Sequence, residues 1–98
     1  MDVPSPTFST VRIDPDVVWR DVDDELVLLN VVTGQYFGLN PVGGDVWRIL
    51  AGAADAGLSF DALVAQVGAG FEGDPSVIRA DLVGLLTQLA EKHLISVA

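Results

Sequence analysis

Thr33-Gly34-Gln35-Tyr36-Phe37-Gly38-Leu39-Asn40-Pro41 reads as a strand that runs straight into a capped helix. Residues 35–37 favour extended backbone, Asn40 offers an N-cap oxygen, and Pro41 suits the first helical position. Two apolar runs precede this segment, at 17–19 and 26–32, and Thr33-Gly34 marks the turn out of the second. The order predicts a three-strand meander feeding directly into helices. Its last strand can lie at a sheet edge, where unpaired N–H and C=O groups are able to capture an extended peptide.

Working outward, Asp14-Pro15-Asp16 is a turn, 17–21 the first strand, and the acidic stretch 21–24 a hairpin loop. Residues 25–32 form the central strand and 35–39 the third. The first helix is expected over 41–50, with Val46, Ile49 and Leu50 buried and Val42 or Trp47 at the margin. Gly43-Gly44 is weak helix chemistry and leaves room for another backbone. After a small-residue loop at 51–57, Ser59 caps a short helix over 60–67, with Leu63, Val64 and Val67 inward. A second loop covers 68–73. Asp74 then caps a third helix with Pro75 at its first position, running to about Lys92. Leu94, Ile95 and Val97 form a tail that can return to the core. Residues 1–11 read as a flexible arm, ordered only where Phe8, Val11 and Ile13 find apolar surface.

Ninety-eight residues, half of them apolar, make one domain with an adequate core. The absence of cysteine excludes a disulfide framework and a thiolate metal site. No apolar run is long enough to span a bilayer, and no basic segment leads into an apolar one at the start, so a cytoplasmic protein is expected. Fourteen acidic residues against five basic ones give a net charge of −9. That balance repels nucleic acid, keeps a small apolar protein soluble, and suits a basic peptide or protein partner.

Catalytic and metal chemistry is sparse. The single histidine, His93, sits at the end of the last helix, where the helix dipole favours it. Ser59 has no base near it in sequence and is better used as a cap than as a nucleophile. Asp21, Asp23, Asp24 and Glu25 lack the ligand spacing and glycine of a calcium loop. Gly34, Gly38, Gly43 and Gly44 do not fit a phosphate-binding spacing. The expectation is a protein without enzymatic activity, metal or cofactor.

The segment Gly34-Gln35-Tyr36-Phe37-Gly38-Leu39-Asn40-Pro41-Val42-Gly43-Gly44-Asp45-Val46-Trp47 resembles the central signature of the PqqD-like proteins: an aromatic pair, Leu-Asn, small residues, then an aliphatic-Trp pair. Val77, Asp81-Leu82, Leu85-Leu86, Leu89 and Leu94-Ile95 resemble that family's third helix and its end. The resemblance covers about residues 12–97, within a domain expected over 12–98. It implies a leader-peptide recognition element for ribosomally made, modified peptides, most similar to the discrete recognition protein of lasso-peptide pathways. The implied fold is α+β and winged-helix-like, a three-stranded antiparallel sheet followed by three helices. The implied partners are the leader of a precursor peptide, a separate transglutaminase-like cysteine protease that removes it, and a ring-closing cyclase. Nucleic acid and membrane are not among them. The family's peptide chaperone of redox-cofactor biosynthesis is the alternative within the same resemblance.

The resemblance further implies that the leader adds as an antiparallel strand beside the third strand, with side chains in a cleft against the third helix. Phe37 and Leu39 share one strand face, suited to the core, and Tyr36 and Gly38 the other. Strand addition uses the backbone of Gln35, Tyr36, Phe37, Gly38 and Leu39, and Gly38 leaves the outer backbone unobstructed. Tyr36 is either an exposed aromatic or a cleft wall. Which parity faces the leader is open, because one bulge inverts it. On the third helix Ile78, Leu82, Leu85, Leu86 and Leu89 cluster on one largely buried face. Val77, Asp81, Gly84 and Gln88 lie along a flank able to form a groove wall. Asp81 falls at the family's acidic helix position, where it either meets a basic or donor group of the leader or stays a solvated helix carboxylate. The candidate peptide-binding set is therefore residues 35–39 with Val77, Ile78, Asp81, Leu82 and Leu85. A winged-helix DNA-binding regulator is a competing class, disfavoured because the sheet precedes the helices and the third helix has only Arg79 and Lys92 as cations. A subunit-assembly domain with no peptide ligand is the third reading.

Overall fold

A computed structural model describes residues 10–53, 56–70 and 73–97. The meander is present. β2 (Val17–Val22), β3 (Glu25–Asn30) and β4 (Tyr36–Leu39) form an antiparallel sheet in the order β2-β3-β4. Val22 pairs with Glu25 across a two-residue turn in which Asp23 is left-handed (φ 57°), a conformation that Asp tolerates. The register continues as Leu26↔Leu39 and Leu28↔Phe37 on the inner face.

The central strand stops two residues short of the expected 25–32, and Asn30 is the cause. It is buried. Its Oδ1 accepts from the N–H groups of Val32 (2.9 Å) and Thr33 (3.0 Å), which turns the chain out of the sheet and leaves Val31 and Val32 exposed. Gly34 completes the turn with φ +80°.

α1 (Pro41–Gly52) starts where the quoted segment places it. Asn40 Oδ1 accepts from Gly43 N at 2.8 Å. Its buried side is wider than the expected stripe: Trp47 is wholly enclosed and central to the core, whereas Ile49 is only partly buried. The space left by Gly43 and Gly44 is taken by side chains, not by a backbone. A Cβ on Gly43 would sit 3.1 Å from Leu39 Cδ2, and one on Gly44 3.6 Å from Leu26 Cβ. α2 (Phe60–Gly70) is capped by Ser59 Oγ, which accepts from Ala62 N at 3.1 Å. α3 (Pro75–Glu91) is capped by Asp74. Arg79 reaches from α3 to Asp61 of α2 (3.1 Å) and lies over the Phe60 ring, so its role is to join the two helices.

A second sheet was not foreseen. β1 (Thr10–Ile13) is its centre, flanked by β5 (Leu58–Ser59) and β6 (Ile95–Val97), both antiparallel. Of the stretch 1–11 read as an arm, residues 1–9, with Phe8, lie outside the described residues. Thr10 and Val11 belong to β1, and Val11 is fully buried. Gly57 permits the β1–β5 approach: its φ is +73°, and a Cβ there would meet Val11 O at 2.7 Å. The tail does return to the core, as β6.

α3 ends in a paired reverse turn. His93 N donates to Ala90 O (3.1 Å) and Leu94 N to Leu89 O (2.9 Å), with His93 left-handed at φ 59°. Asn30 Nδ2 donates to the carbonyl of His93 at 2.7 Å, tying the end of α3 to the β3–β4 turn. The core joins both sheets to the three helices through Val11, Ile95, Leu26, Leu28, Leu39, Val46, Trp47, Leu63, Leu82 and Leu86. No helix among the described residues is long and apolar enough to cross a membrane.

Candidate functional site

β4 is an edge strand, and its hydrogen-bond parity follows from one contact. Asn30 N donates to the Gln35 carbonyl at 2.9 Å. Hydrogen-bonded pairs alternate along an antiparallel ladder. Counting on in register, Phe37 and Leu39 therefore turn their backbone groups toward β3. Tyr36 and Gly38 turn theirs to the open side, where no described strand pairs.

Beside this edge lies a cleft of about 490 Å³. Phe37, Gly38 and Leu39 form its strand wall; Val77, Ile78, Asp81, Leu82, Leu85 and Gln88 form its helix wall. Val42, Gly43 and Val46 of α1 complete the lining, with Val67 of α2 and Asn40, Gly73 and Asp74. Leu39 and Leu82 are buried at the base, while Val42 and Val77 stand exposed at the rim. Phe37 is half-buried with the Lys92 Nζ 5.7 Å from its ring centre. The surface offered is thus chiefly apolar, with a carboxylate edge.

The two rim carboxylates differ. Asp74 Oδ1 accepts from the Ser76 hydroxyl (2.8 Å) and the Ser76 N–H (2.9 Å). These bonds, the hydroxyl one foremost, hold its carboxyl below the ordinary aspartate range. Asp81 is exposed and forms no ion pair with a described residue, so its acceptor capacity is free.

Of the ten candidate residues, Phe37, Gly38, Leu39, Val77, Ile78, Asp81, Leu82 and Leu85 line the cleft. Gln35 does not. Its carbonyl is taken by Asn30, and its N–H donates to Thr33 Oγ1 at 3.2 Å. Tyr36 lies on the outer sheet face and is 70% exposed, so only its backbone reaches the edge. Gln88 joins the helix wall and Gly84 does not. The α1 contribution was missed, although a signal existed. A helix that starts directly after β4 keeps its first two turns near that strand, and here Val42 and Val46 line the cleft. Among the described residues, no group of three His, Cys, Asp or Glu side chains is placed to hold a metal ion.

The family described as Coenzyme PQQ synthesis protein D (PqqD) matches residues 25–95. No curated protein matches the chain. Among solved structures, the chain is similar to TbiB1 in complex with the TbiA(beta) leader peptide. Identity is 34% and the TM-score 0.75, over 87% of this chain and 94% of that one. It shares its fold with lasso peptide synthetase B1 complexed with the leader peptide, at 23% identity and a TM-score of 0.69, over 89% of this chain and 98% of that one. The family match runs from the start of β3 through the beginning of β6, and so takes in both the open edge and the helix that faces it: this chain is a member of the PqqD family.

Proposed function

We propose that this chain binds the leader of a ribosomally made precursor peptide in lasso-peptide biosynthesis and presents it to a separate leader peptidase. The observation that carries the reading is a coincidence of two features. The outward backbone groups of Tyr36 and Gly38 stand at the mouth of the apolar cleft between β4 and α3. An added antiparallel strand takes its affinity from those main-chain groups and its selectivity from alternate side chains dropping into the cleft. The leader complex of the 34% identical relative supports the same occupant here.

The role is non-enzymatic. The chain has no cysteine and cannot supply the thiol of the expected cysteine protease. It acts by raising the local concentration of the leader at the partner protease. The outer face of the same sheet offers that partner a seat. Val18, Leu29 and Tyr36 form one cross-strand row, 54%, 37% and 70% exposed, which ends at the edge where the leader lies. The cyclase is a further partner of the same pathway.

The test is fluorescence anisotropy with a labelled synthetic leader of the cognate precursor, followed by leader cleavage by the peptidase with and without this chain. The expected result is saturable binding and faster cleavage only when the two proteins are together. Trimming of the precursor by this chain alone, or no binding of the leader, overturns the proposal. The family's description also fits a peptide chaperone of redox-cofactor biosynthesis. That reading uses the same edge and differs in which precursor binds. The DNA-binding alternative loses its cations, since Arg79 pairs with Asp61 and Lys92 covers Phe37.

A further inference from the structure

We infer that Glu25 selects a cationic side chain, Lys or Arg, at the leader position directly opposite Gly38. This inference rests on the strand-addition reading above. Leu26 and Leu28 are buried, so Glu25 and Val27 of β3 face outward together with Gly38 of β4. Gly38 has no side chain, and the Glu25 carboxylate lies over it. A Cβ built on Gly38 would be 3.4 Å from Oε1, 3.7 Å from Cδ and 3.8 Å from Oε2 of Glu25. The carboxylate therefore lies in van der Waals contact with the position where a side chain on Gly38 would begin, one strand nearer the open edge than its own backbone. Among the described residues Glu25 has no ion-pair partner, although Arg20 stands on the same face opposite Val27.

An added strand sets one residue directly across from Gly38, whose N–H and C=O both point outward. Directly opposed residues place their side chains on the same face, with Cβ atoms about 4.5–5.5 Å apart. On that face the leader side chain then meets a carboxylate rather than the hydrogen of a glycine. An aliphatic group there would desolvate the carboxylate, an acid would repel it, and a cation pairs with it. The leader residues on either side point to the opposite face and into the cleft, against Phe37 and Leu39. The chemistry recognised is an extended segment with one cation flanked by apolar residues.

The experiment uses the labelled cognate leader, leaders with each Lys or Arg changed singly to Glu, and the variants Glu25→Gln and Glu25→Lys. Glu25→Gln is expected to weaken binding about two- to fivefold at low salt, a loss that shrinks at high salt, as for an exposed pair. Glu25→Lys is expected to weaken it about tenfold, and one leader Lys/Arg→Glu change should restore it while the others do not. Glu25→Lys binding within twofold of wild type, restoration by no single change, or a leader with no cation in its bound strand overturns the inference. Gly38→Pro separates the two levels. Loss of binding in Gly38→Pro but not in Glu25→Lys keeps strand addition and discards the role of Glu25. Wild-type binding by both discards strand addition itself.

Discussion

Gly38→Pro is the sharpest perturbation of the proposed edge. The Gly38 N–H points away from β3, so proline there removes no bond of the existing ladder. The preceding residue, Phe37, is already in the extended conformation that proline imposes on it. Folding should survive, as it does for prolines on edge strands. Binding should not. A leader carbonyl that loses its donor inside an apolar groove forfeits about 1–3 kcal/mol. At about 1.4 kcal/mol per tenfold, this is an increase in Kd of about 5- to 150-fold. Gly38→Ala is the control. It keeps the N–H, and its Cβ meets Glu25 at 3.4 Å, an ordinary contact. Phe37→Pro is the opposite control, because it deletes an inward N–H together with a half-buried ring and should lower the Tm. Anisotropy with labelled leader reads Kd, and a thermal melt reads folding. A Gly38→Pro protein with near-wild-type Tm and a Kd within twofold of wild type refutes docking at β4.

Four further outcomes are expected. Asp81→Asn should weaken leader binding by about 1–2 kcal/mol, the range for a hydrogen bond to a charged group discounted for partial exposure; an unchanged Kd in a folded variant returns Asp81 to a solvated helix carboxylate. Asn30→Ala should cost about 2–4 kcal/mol in urea denaturation, because three backbone groups lose their partner at once; a cost under about 0.5 kcal/mol would mean that water replaces all three. Asp74→Ala should lower the Tm at neutral pH. The folded-state carboxyl of Asp74 titrates below its unfolded range, so its contribution is present above that range and lost as pH falls through the lowered value. The deficit of the variant should shrink on acidification, and a deficit constant with pH would contradict this. Val18→Asp should leave leader Kd unchanged and slow peptidase cleavage, since Val18 lies on the outer face away from the cleft; equal cleavage rates would remove that face from the peptidase interface.

What the sequence disclosed was local chemistry. Asn40-Pro41, Ser59 and Asp74-Pro75 each announce a helix start through side chains that bond within two or three residues, and each bond is present. The meander was equally legible, because its turns are short and rich in Asp and Gly. β1, β5 and β6 were not. They are two to four residues long, and their partners lie far away in sequence, so no periodicity can accumulate. Trp47 looked marginal because its burial depends on Trp19, which packs edge-on against it from β2 at 5.5 Å between ring centres. The cleft was half visible. The flank of Val77, Asp81 and Gln88 follows from helical geometry, whereas the α1 lining depends on how α1 leaves the sheet. Strand parity required the register, and a single Asn30–Gln35 bond supplies it.

The bond from Asn30 to His93 also ties the two walls of the cleft together at one end. There the turn that follows α3 is held to the β3–β4 turn by Asn30 and to the β1–β2 turn by the bond from Asp14 N to Leu94 O. At the far end the cleft is lined by Val42, Val77 and Asp74, with α3 joined to α2 through packing and the exposed Arg79–Asp61 pair. On the strand-addition proposal, an antiparallel leader lies with its N-terminal side at that far end and leaves past the tied end. The segment that continues toward the cleavage site then departs beside the end fixed by the Asn30 and Asp14 bonds, so its starting point is set by the fold and not by the leader's sequence.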